Sequence, residues 1–178
     1  AFVPSYSSEI TKGKKKSNEF ANSIFNLLFL GLLFLVLIIQ IFMPGFVLII
    51  APGFVEDVEK INMAINLTRI TFPFLLFISI ASFFAAILNS HNKFAAASAA
   101  PIILNIMLII VLFFANSLGD VLVYYLSYGV SLAGIVQLLF LYKFVKKFYT
   151  LKLNFKIKVN DKVKIFFKKL LPSIFSSG

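Results

Sequence analysis

Four long runs without a formally charged residue constrain the fold of this chain more than any other feature. They cover residues 20–55, 70–92, 94–119 and 121–142. A helix needs about 20 apolar residues to cross a bilayer core of roughly 30 Å, and each run is long enough. Hydrophobic residues make up 60% of the chain and charged residues 13%, a balance that is not typical of a soluble domain. Backbone groups inside a bilayer must be paired internally, so the sequence predicts an all-α fold, a polytopic transmembrane helix bundle.

Turn residues and charges between the runs give the predicted boundaries. Residues 1–8 are expected to end a preceding helix, and the spans are expected at about 24–42, 70–90, 99–116 and 121–144. Pro44 is expected to kink the first span. Residues 145–171 are predicted to form a basic cytoplasmic loop with an amphipathic helix, and residues 172–178 to begin another span. The chain 1–178 is therefore interpreted as a fragment of one transmembrane domain.

The basic residues are distributed unevenly among the loops, and this predicts the orientation. Of the 17 Lys and Arg residues, only Lys60 and Arg69 lie outside residues 12–16, residue 93 and residues 143–169. By the positive-inside rule, those three segments are cytoplasmic. The net charge of +10 is thus interpreted as a topology signal, and no nucleic-acid partner is expected. The basic loop is expected to attract anionic membrane lipids, at about 1 kcal/mol per Lys near the surface, although a merely solvated loop is the simpler interpretation.

The residues after the fourth run show two successive periodicities. Apolar and polar residues alternate over 151–159, which predicts a short extended segment. Apolar residues over 163–171 fall on one face of a helix, and lysines surround that face. This pattern predicts an amphipathic helix on the cytoplasmic surface of the membrane.

Residues that could support catalysis or hold a metal ion are nearly absent. His91 is the one histidine and the chain has no cysteine, so neither a metal site nor a cofactor is expected. No serine has a plausible base partner at the same membrane depth. The carboxylates Glu56, Asp57 and Glu59 lie in a short outward loop, where solvation explains them. The sequence therefore does not predict an enzyme.

A few polar residues fall within or beside the spans: Asn26, Gln40, Arg69, Asn105 and Gln137. Ionisable residues within spans are functional candidates by default, so Arg69 is a candidate substrate-binding residue. Arg69 precedes a charge-free run by one position, however, and its side chain could also reach the interface. Asn105 and Gln137 are predicted to make hydrogen bonds between helices, each worth about 0.6 kcal/mol.

Several sequence strings recur in the order and spacing of a known family. They are AFVP at 1–4, APGF at 51–54, LTRITFPFLLFIS at 67–79, ILNS at 87–90, KF at 93–94, APIILN at 100–105 and GVSLAGIVQL at 129–138. Together they closely resemble the MurJ/MviN family of lipid II flippases over nearly the whole chain. Five positions depart from the family pattern, mostly by residues of similar size or like charge: Phe74, Ala85, Lys93, Ala97 and Ala133.

The resemblance implies a fold and an activity. It implies that the chain covers the end of helix two to the start of helix seven of a fourteen-helix transporter. That region is part of the N-terminal lobe of a MOP-superfamily (MATE-like) transporter. The implied protein is monomeric when full length and lies in the bacterial cytoplasmic membrane. There it would move lipid II, an undecaprenyl-pyrophosphate-linked peptidoglycan precursor, from the inner to the outer leaflet by alternating access. The cavity arginines of the family lie on helices outside this chain.

Three alternatives stay open at the level of sequence. The first is another exporter of the same superfamily, for polysaccharide or for drugs and cations, because fold alone does not separate these functions. The second is a membrane-embedded enzyme of lipid-linked sugar metabolism, which would need acidic or histidine clusters near a membrane face. The third is a purely structural membrane scaffold.

Overall fold

In a computed structural model, the regular elements of the chain are helices. The structure describes residues 2–115, 119, 121–154, 164–166 and 168. Seven α-helices follow one another in these residues: α1 (Phe2–Ile10), α2 (Lys14–Ile41), α3 (Met43–Ile50), α4 (Val58–Thr71), α5 (Phe74–Ser90), α6 (Phe94–Ala115) and α7 (Leu122–Val145). A 3-10 turn, Pro52–Phe54, follows α3, and none of the described residues forms a strand. The predicted all-α fold is confirmed, while the superfamily assignment stays a prediction.

Four helical segments are long and apolar enough to cross a membrane, as the sequence predicts. They are Lys14–Ile41, Val58–Ser90, Phe94–Ala115 and Leu122–Val145. The first three begin before the predicted starts at 24, 70 and 99. Apolarity marks the part of a helix that lies in lipid, whereas a helix itself continues until a cap or a turn ends it. Residues 155–163 and 172–178, which carry predicted features of the tail, lie outside the described residues.

Two prolines lie at positions in the helices that differ from the prediction. The first span is interrupted between α2 and α3 at Phe42, and Pro44 lies in the first turn of α3. Proline is tolerated there because its missing N–H has no helical partner in any case. Pro101, predicted near the start of a span, lies inside α6, because α6 already begins at Phe94.

A short turn connects α5 to α6. The backbone N–H groups of His91 and Lys93 both donate to the carbonyl of Leu88, at 3.0 and 2.9 Å. Asn92 has φ 58°, in the left-handed region that asparagine tolerates better than most residues. These bonds pair the carbonyl of Leu88 near the end of α5, and the chain reverses within three residues.

The chain forms two compact units. The first contains Ala1–Leu30, Ile80–Ser98 and Leu141–Gly178, and the second contains Gly31–Ser79 and Ala99–Phe140. The core of the first unit is largely aromatic. Its rings pack in stacked, tilted and edge-on pairs: Phe2, Tyr6, Phe20, Phe25, Phe83, Phe84, Tyr149 and Phe166. Such pairs add about 0.5–1.5 kcal/mol each beyond the area that they bury.

The second unit packs through two glycines of α7. A Cβ atom at Gly129 would lie 2.9 Å from Cγ2 of Val111 on α6. A Cβ atom at Gly134 would lie 2.7 Å from Cδ2 of Phe74 on α5. Small residues permit close helix approach in lipid, where no hydrophobic drive holds helices together. Large apolar side chains of this unit point outward instead, with Ile49 82% and Phe113 81% exposed.

Candidate functional site

The break between α4 and α5 is the most specific polar arrangement of the second unit. Pro73 has no N–H, so it cannot donate to the carbonyl of Arg69 four residues earlier. The side-chain amide of Gln40 on α2 donates to that carbonyl at 2.8 Å. The neighbouring carbonyl, of Ile70, accepts a hydrogen bond from the hydroxyl of Ser131 on α7. Two helices thus satisfy carbonyls at the break, for which lipid offers no hydrogen-bond donor.

A double-mutant cycle tests whether Gln40 compensates for the proline. We expect Gln40→Leu to lower the unfolding free energy by about 1 kcal/mol, because it leaves the Arg69 carbonyl without a donor. In a Pro73→Ala background residue 73 regains an N–H, so the same substitution should cost less. The measurement is the denaturation midpoint of the full-length protein in detergent. Equal costs in the two backgrounds would show that Gln40 and Pro73 act independently.

Arg69, the candidate substrate-binding residue, lies in the last turn of α4 with an exposed side chain. Neither the Lys12–Glu9 nor the Lys60–Asp57 ion pair includes it. Its contact with Gln40 is made by the backbone carbonyl and not by the guanidinium. A substrate contact of the Arg69 side chain stays a prediction.

The two predicted interhelical polar contacts lie in different environments. Asn105 is exposed on α6. Gln137 is completely buried on α7, and neither its side-chain oxygen nor its nitrogen has a hydrogen-bond partner among the described residues. The predicted hydrogen bonds of both side chains therefore stay predictions.

The carboxylates of the short loop before α4 have a local structural role. Asp57 is the N-cap of α4, and its side chain accepts a hydrogen bond from the backbone N–H of Lys60 at 3.0 Å. That bond, with the Lys60 ammonium 3.1 Å away, lowers the pKa of the Asp57 carboxyl. Among the described residues, no three His, Cys, Asp or Glu side chains form a group that could hold a metal ion.

His91 takes part in an aromatic contact of the first unit. Its ring stacks on Phe148 with centroids 4.5 Å apart, and its Nε2 lies 3.5 Å from the hydroxyl of Tyr6. Burial lowers the pKa of His91, so the imidazole is neutral at physiological pH. A neutral ring packed on a phenyl group serves the packing of the α5–α6 turn.

Three asparagines of α2 hold the segment that follows α7, and we call Asn18, Asn22 and Asn26 the asparagine ladder. The side-chain oxygen of each asparagine accepts one hydrogen bond from the segment. The three donors are the backbone N–H groups of every second residue. The three bonds are Thr150 to Asn18 at 3.2 Å, Lys152 to Asn22 at 2.8 Å and Asn154 to Asn26 at 3.1 Å. In return, the side-chain amides of Asn22 and Asn26 donate to the carbonyls of Thr150 and Lys152, at 3.1 and 3.2 Å.

The geometry of helix and extended chain explains the spacing of the asparagine ladder. Residues four apart on an α-helix are separated by about 6 Å along its axis. Two residues of extended chain span about 6.6 Å, so each side-chain amide meets a peptide group as a neighbouring strand would. The predicted extended segment starts at residue 151, and its described part is non-helical.

Tyr149 fixes one end of this segment. Its side chain is 1% exposed, and its hydroxyl donates to the side-chain oxygen of Asn22 at 2.7 Å. Burial raises the pKa of the Tyr149 phenol, so it keeps the proton that it donates. Asn22 therefore accepts two hydrogen bonds and donates one.

Sequence reasoning missed Asn18 and Asn22, and it identified Asn26 and Gln40 only as polar residues at membrane depth. The signal for the asparagine ladder was the repeat of asparagine every four residues near the start of the first span. For Gln40, the signal would have been a proline inside an apolar run, which leaves a carbonyl in need of a donor.

The family model described as "Lipid II flippase MurJ" matches residues 1–178. The chain belongs to the MurJ family. The resemblance found in the sequence is thereby confirmed, and another exporter of the same superfamily is not favoured. MurJ family membership and the four apolar helices make this a multi-pass protein of the bacterial inner membrane.

Curated relatives carry the same family name. A protein of Rickettsia prowazekii (strain Madrid E) named "Probable lipid II flippase MurJ" is 39% identical over 99% of this chain and 35% of its own length. A relative with the same name in Rhizobium tropici is 38% identical over 80% of this chain and 28% of its own length. Another, in Buchnera aphidicola subsp. Acyrthosiphon pisum (strain APS), is 35% identical over 100% of this chain and 35% of its own length. The chain spans about a third of the length of the curated relatives that it matches.

The longest MurJ-like string, residues 67–79, contains the break between α4 and α5. The string contains Pro73. It also contains Arg69 and Ile70, whose backbone carbonyls accept hydrogen bonds from Gln40 and Ser131. Phe74 also belongs to this string. It packs against Gly134, which lies in another MurJ-like string, at 129–138. The two strings thus meet in the second unit.

Proposed function

We propose that the protein to which this chain belongs is a lipid II flippase. It would move the undecaprenyl-pyrophosphate-linked precursor from the inner to the outer leaflet by alternating access, and the four apolar helices would form part of its N-terminal lobe. The observation that carries the proposal is the match of the flippase family model to residues 1–178. The names of the curated relatives support it.

The proposed activity is transport and not catalysis, and the proposed partners are lipids. Lipid II is the substrate, and anionic membrane lipids gather at the basic segment that follows α7. The net charge of +10 supports the second partner, because cytoplasmic leaflets carry a negative surface potential. The proposed full-length protein is a monomer.

We propose an orientation in which the α5–α6 turn and the segment after α7 are cytoplasmic, supported by the positive-inside rule. Single cysteines at the exposed positions Lys15 and Thr150 should then be shielded from an impermeant thiol reagent added to intact cells. A cysteine at Asp57, in the loop before α4, should react. Labelling of Thr150→Cys from outside would reverse the orientation and contradict the direction of transport.

Arg69 gives a functional test in the full-length protein. We expect Arg69→Lys to retain lipid II export and Arg69→Ala to lower it only modestly, by less than roughly tenfold. The exposed Arg69 side chain lies just before a charge-free run, where solvent screens its charge. The measurement is rescue of a flippase-depleted bacterium together with the amount of lipid II accessible in the outer leaflet.

The parent protein in the same assay tests the proposed function itself. Failure of the well-expressed parent to rescue and to expose lipid II would contradict the flippase. Complete loss of rescue by Arg69→Ala, with Arg69→Lys active, would instead place Arg69 in the substrate site. A charged group that binds a buried pyrophosphate cannot be removed at small cost.

A further inference from the structure

The segment after α7 contacts the first two helices of its own unit, α1 and α2, at two points. The first attachment is the asparagine ladder, which bonds the backbone of residues 150–154 to α2. The second is Phe166, 5% exposed, whose ring meets Phe2 of α1 and Phe20 of α2 edge-on, with centroids 6.3 and 6.2 Å apart. The first attachment is made by side chains of α2, and the second by one side chain each of α1 and α2.

The asparagine ladder resists sliding of this segment along α2. In extended chain, successive N–H groups point in opposite directions, so a shift by one residue would turn every bonded N–H away from its asparagine. A shift by two residues would have to break the bonds of all three asparagines at once. Tyr149 opposes such a shift too, because its hydroxyl is bonded to Asn22 and its ring is buried.

The bonds of the asparagine ladder do not involve the side chains of the segment. All five go to backbone groups of Thr150, Lys152 and Asn154, whose own side chains are exposed. The specificity therefore lies in α2, which supplies an amide every fourth residue. An amide is the side-chain group that can both accept from an N–H and donate to a carbonyl without charge.

We propose that the asparagine ladder stays closed throughout the transport cycle and that Asn18, Asn22 and Asn26 are positioning residues for transport. The inference rests on the proposed flippase function, in which lobes rotate as nearly rigid bodies. The segment after α7 then moves with α1 and α2 as part of one body. Loss of the attachment would slow the transport cycle, because the segment would then move independently of the lobe during each rotation.

Two manipulations of the full-length protein test this proposal. The first is Asn26→Leu, which removes two of the five bonds. We expect it to lower the lipid II transport rate per folded molecule by roughly fivefold, the lower end of typical coupling between separated sites.

The second is a cross-link between Glu19→Cys of α2 and Lys152→Cys of the segment, both at exposed positions, in a background without other cysteines. A short reducible bis-maleimide joins the two cysteines. The cross-link should leave transport of the parent unchanged and restore the rate of Asn26→Leu. Asn62→Leu, the same change at an exposed position of α4, is the matched control and should keep the parent rate.

Each outcome of these experiments supports or contradicts the proposal. A cross-linked parent that stops transporting and recovers on reduction would show that the segment must detach, which overturns the proposal. Unchanged transport by Asn26→Leu would overturn it as well. If Asn26→Leu does not fold, the cross-linked parent carries the test alone. An inactive parent contradicts the flippase function, whereas an active parent that the cross-link blocks contradicts only the closed ladder.

Discussion

Gly134→Leu should remove most of the folded full-length protein from the membrane. A Cβ atom at this position already lies 2.7 Å from Cδ2 of Phe74 and 3.1 Å from Cβ of Phe77. The ring of Phe74 could turn, but the Cβ of Phe77 can move only with α5. Overpacking of this kind costs about 1–3 kcal/mol, and the three further carbons of leucine raise the cost. Fluorescence-detected size exclusion of solubilised membranes measures the loss as a smaller monodisperse peak.

A second mid-helix glycine provides the matched control. A Cβ atom at Gly31 of α2 meets nothing within 4 Å. Gly31→Ala should therefore stabilise the protein by up to about 1 kcal/mol, because alanine favours a helix, whereas Gly134→Ala should destabilise it. Opposite stability changes for Gly→Ala at these two positions would distinguish the effect of helix propensity from the effect of packing. Equal accumulation of Gly134→Leu and the parent would mean that α5 and α7 do not pack through this glycine.

The helices and the family were predictable from the sequence because bilayer physics leaves few options. A charge-free run such as 94–119 must be helical in lipid, and its length alone predicts a span. The ends were less predictable, since α2 begins at Lys14 and continues through polar residues that apolarity cannot detect. The α5–α6 turn was marked by its polar residues, although the left-handed backbone of Asn92 was visible only in the structure.

The polar contacts were not predictable in the same way, because they depend on which helices become neighbours. Asn105 and Gln137 were selected for their depth in the membrane, yet the amide that bonds a carbonyl freed by Pro73 belongs to Gln40. Depth along a span says nothing about the face on which a side chain lies. Asn22 shows the same limit, since its partners follow it by more than a hundred residues.

Asn22→Leu should be the most destabilising single change in the asparagine ladder. Asn22 accepts from the Tyr149 hydroxyl at 2.7 Å and from the Lys152 N–H at 2.8 Å, and it donates to the Thr150 carbonyl at 3.1 Å. Water can replace the bonds to Thr150 and Lys152, which are exposed. The Tyr149 hydroxyl is buried, so its loss of a partner alone costs about 1–3 kcal/mol.

Together, these losses should lower the unfolding free energy by about 2–4 kcal/mol, a large share of the 5–15 kcal/mol typical of folded proteins. Thermal denaturation of the full-length protein in detergent measures the loss, and proteolysis near Lys152 measures release of the segment. Tyr149→Phe in the Asn22→Leu background provides the internal check. It removes the unpaired hydroxyl, so it should recover part of the lost stability, although Tyr149→Phe alone should destabilise the parent. No recovery in the double variant would mean that the buried Tyr149 hydroxyl does not account for the cost of losing Asn22.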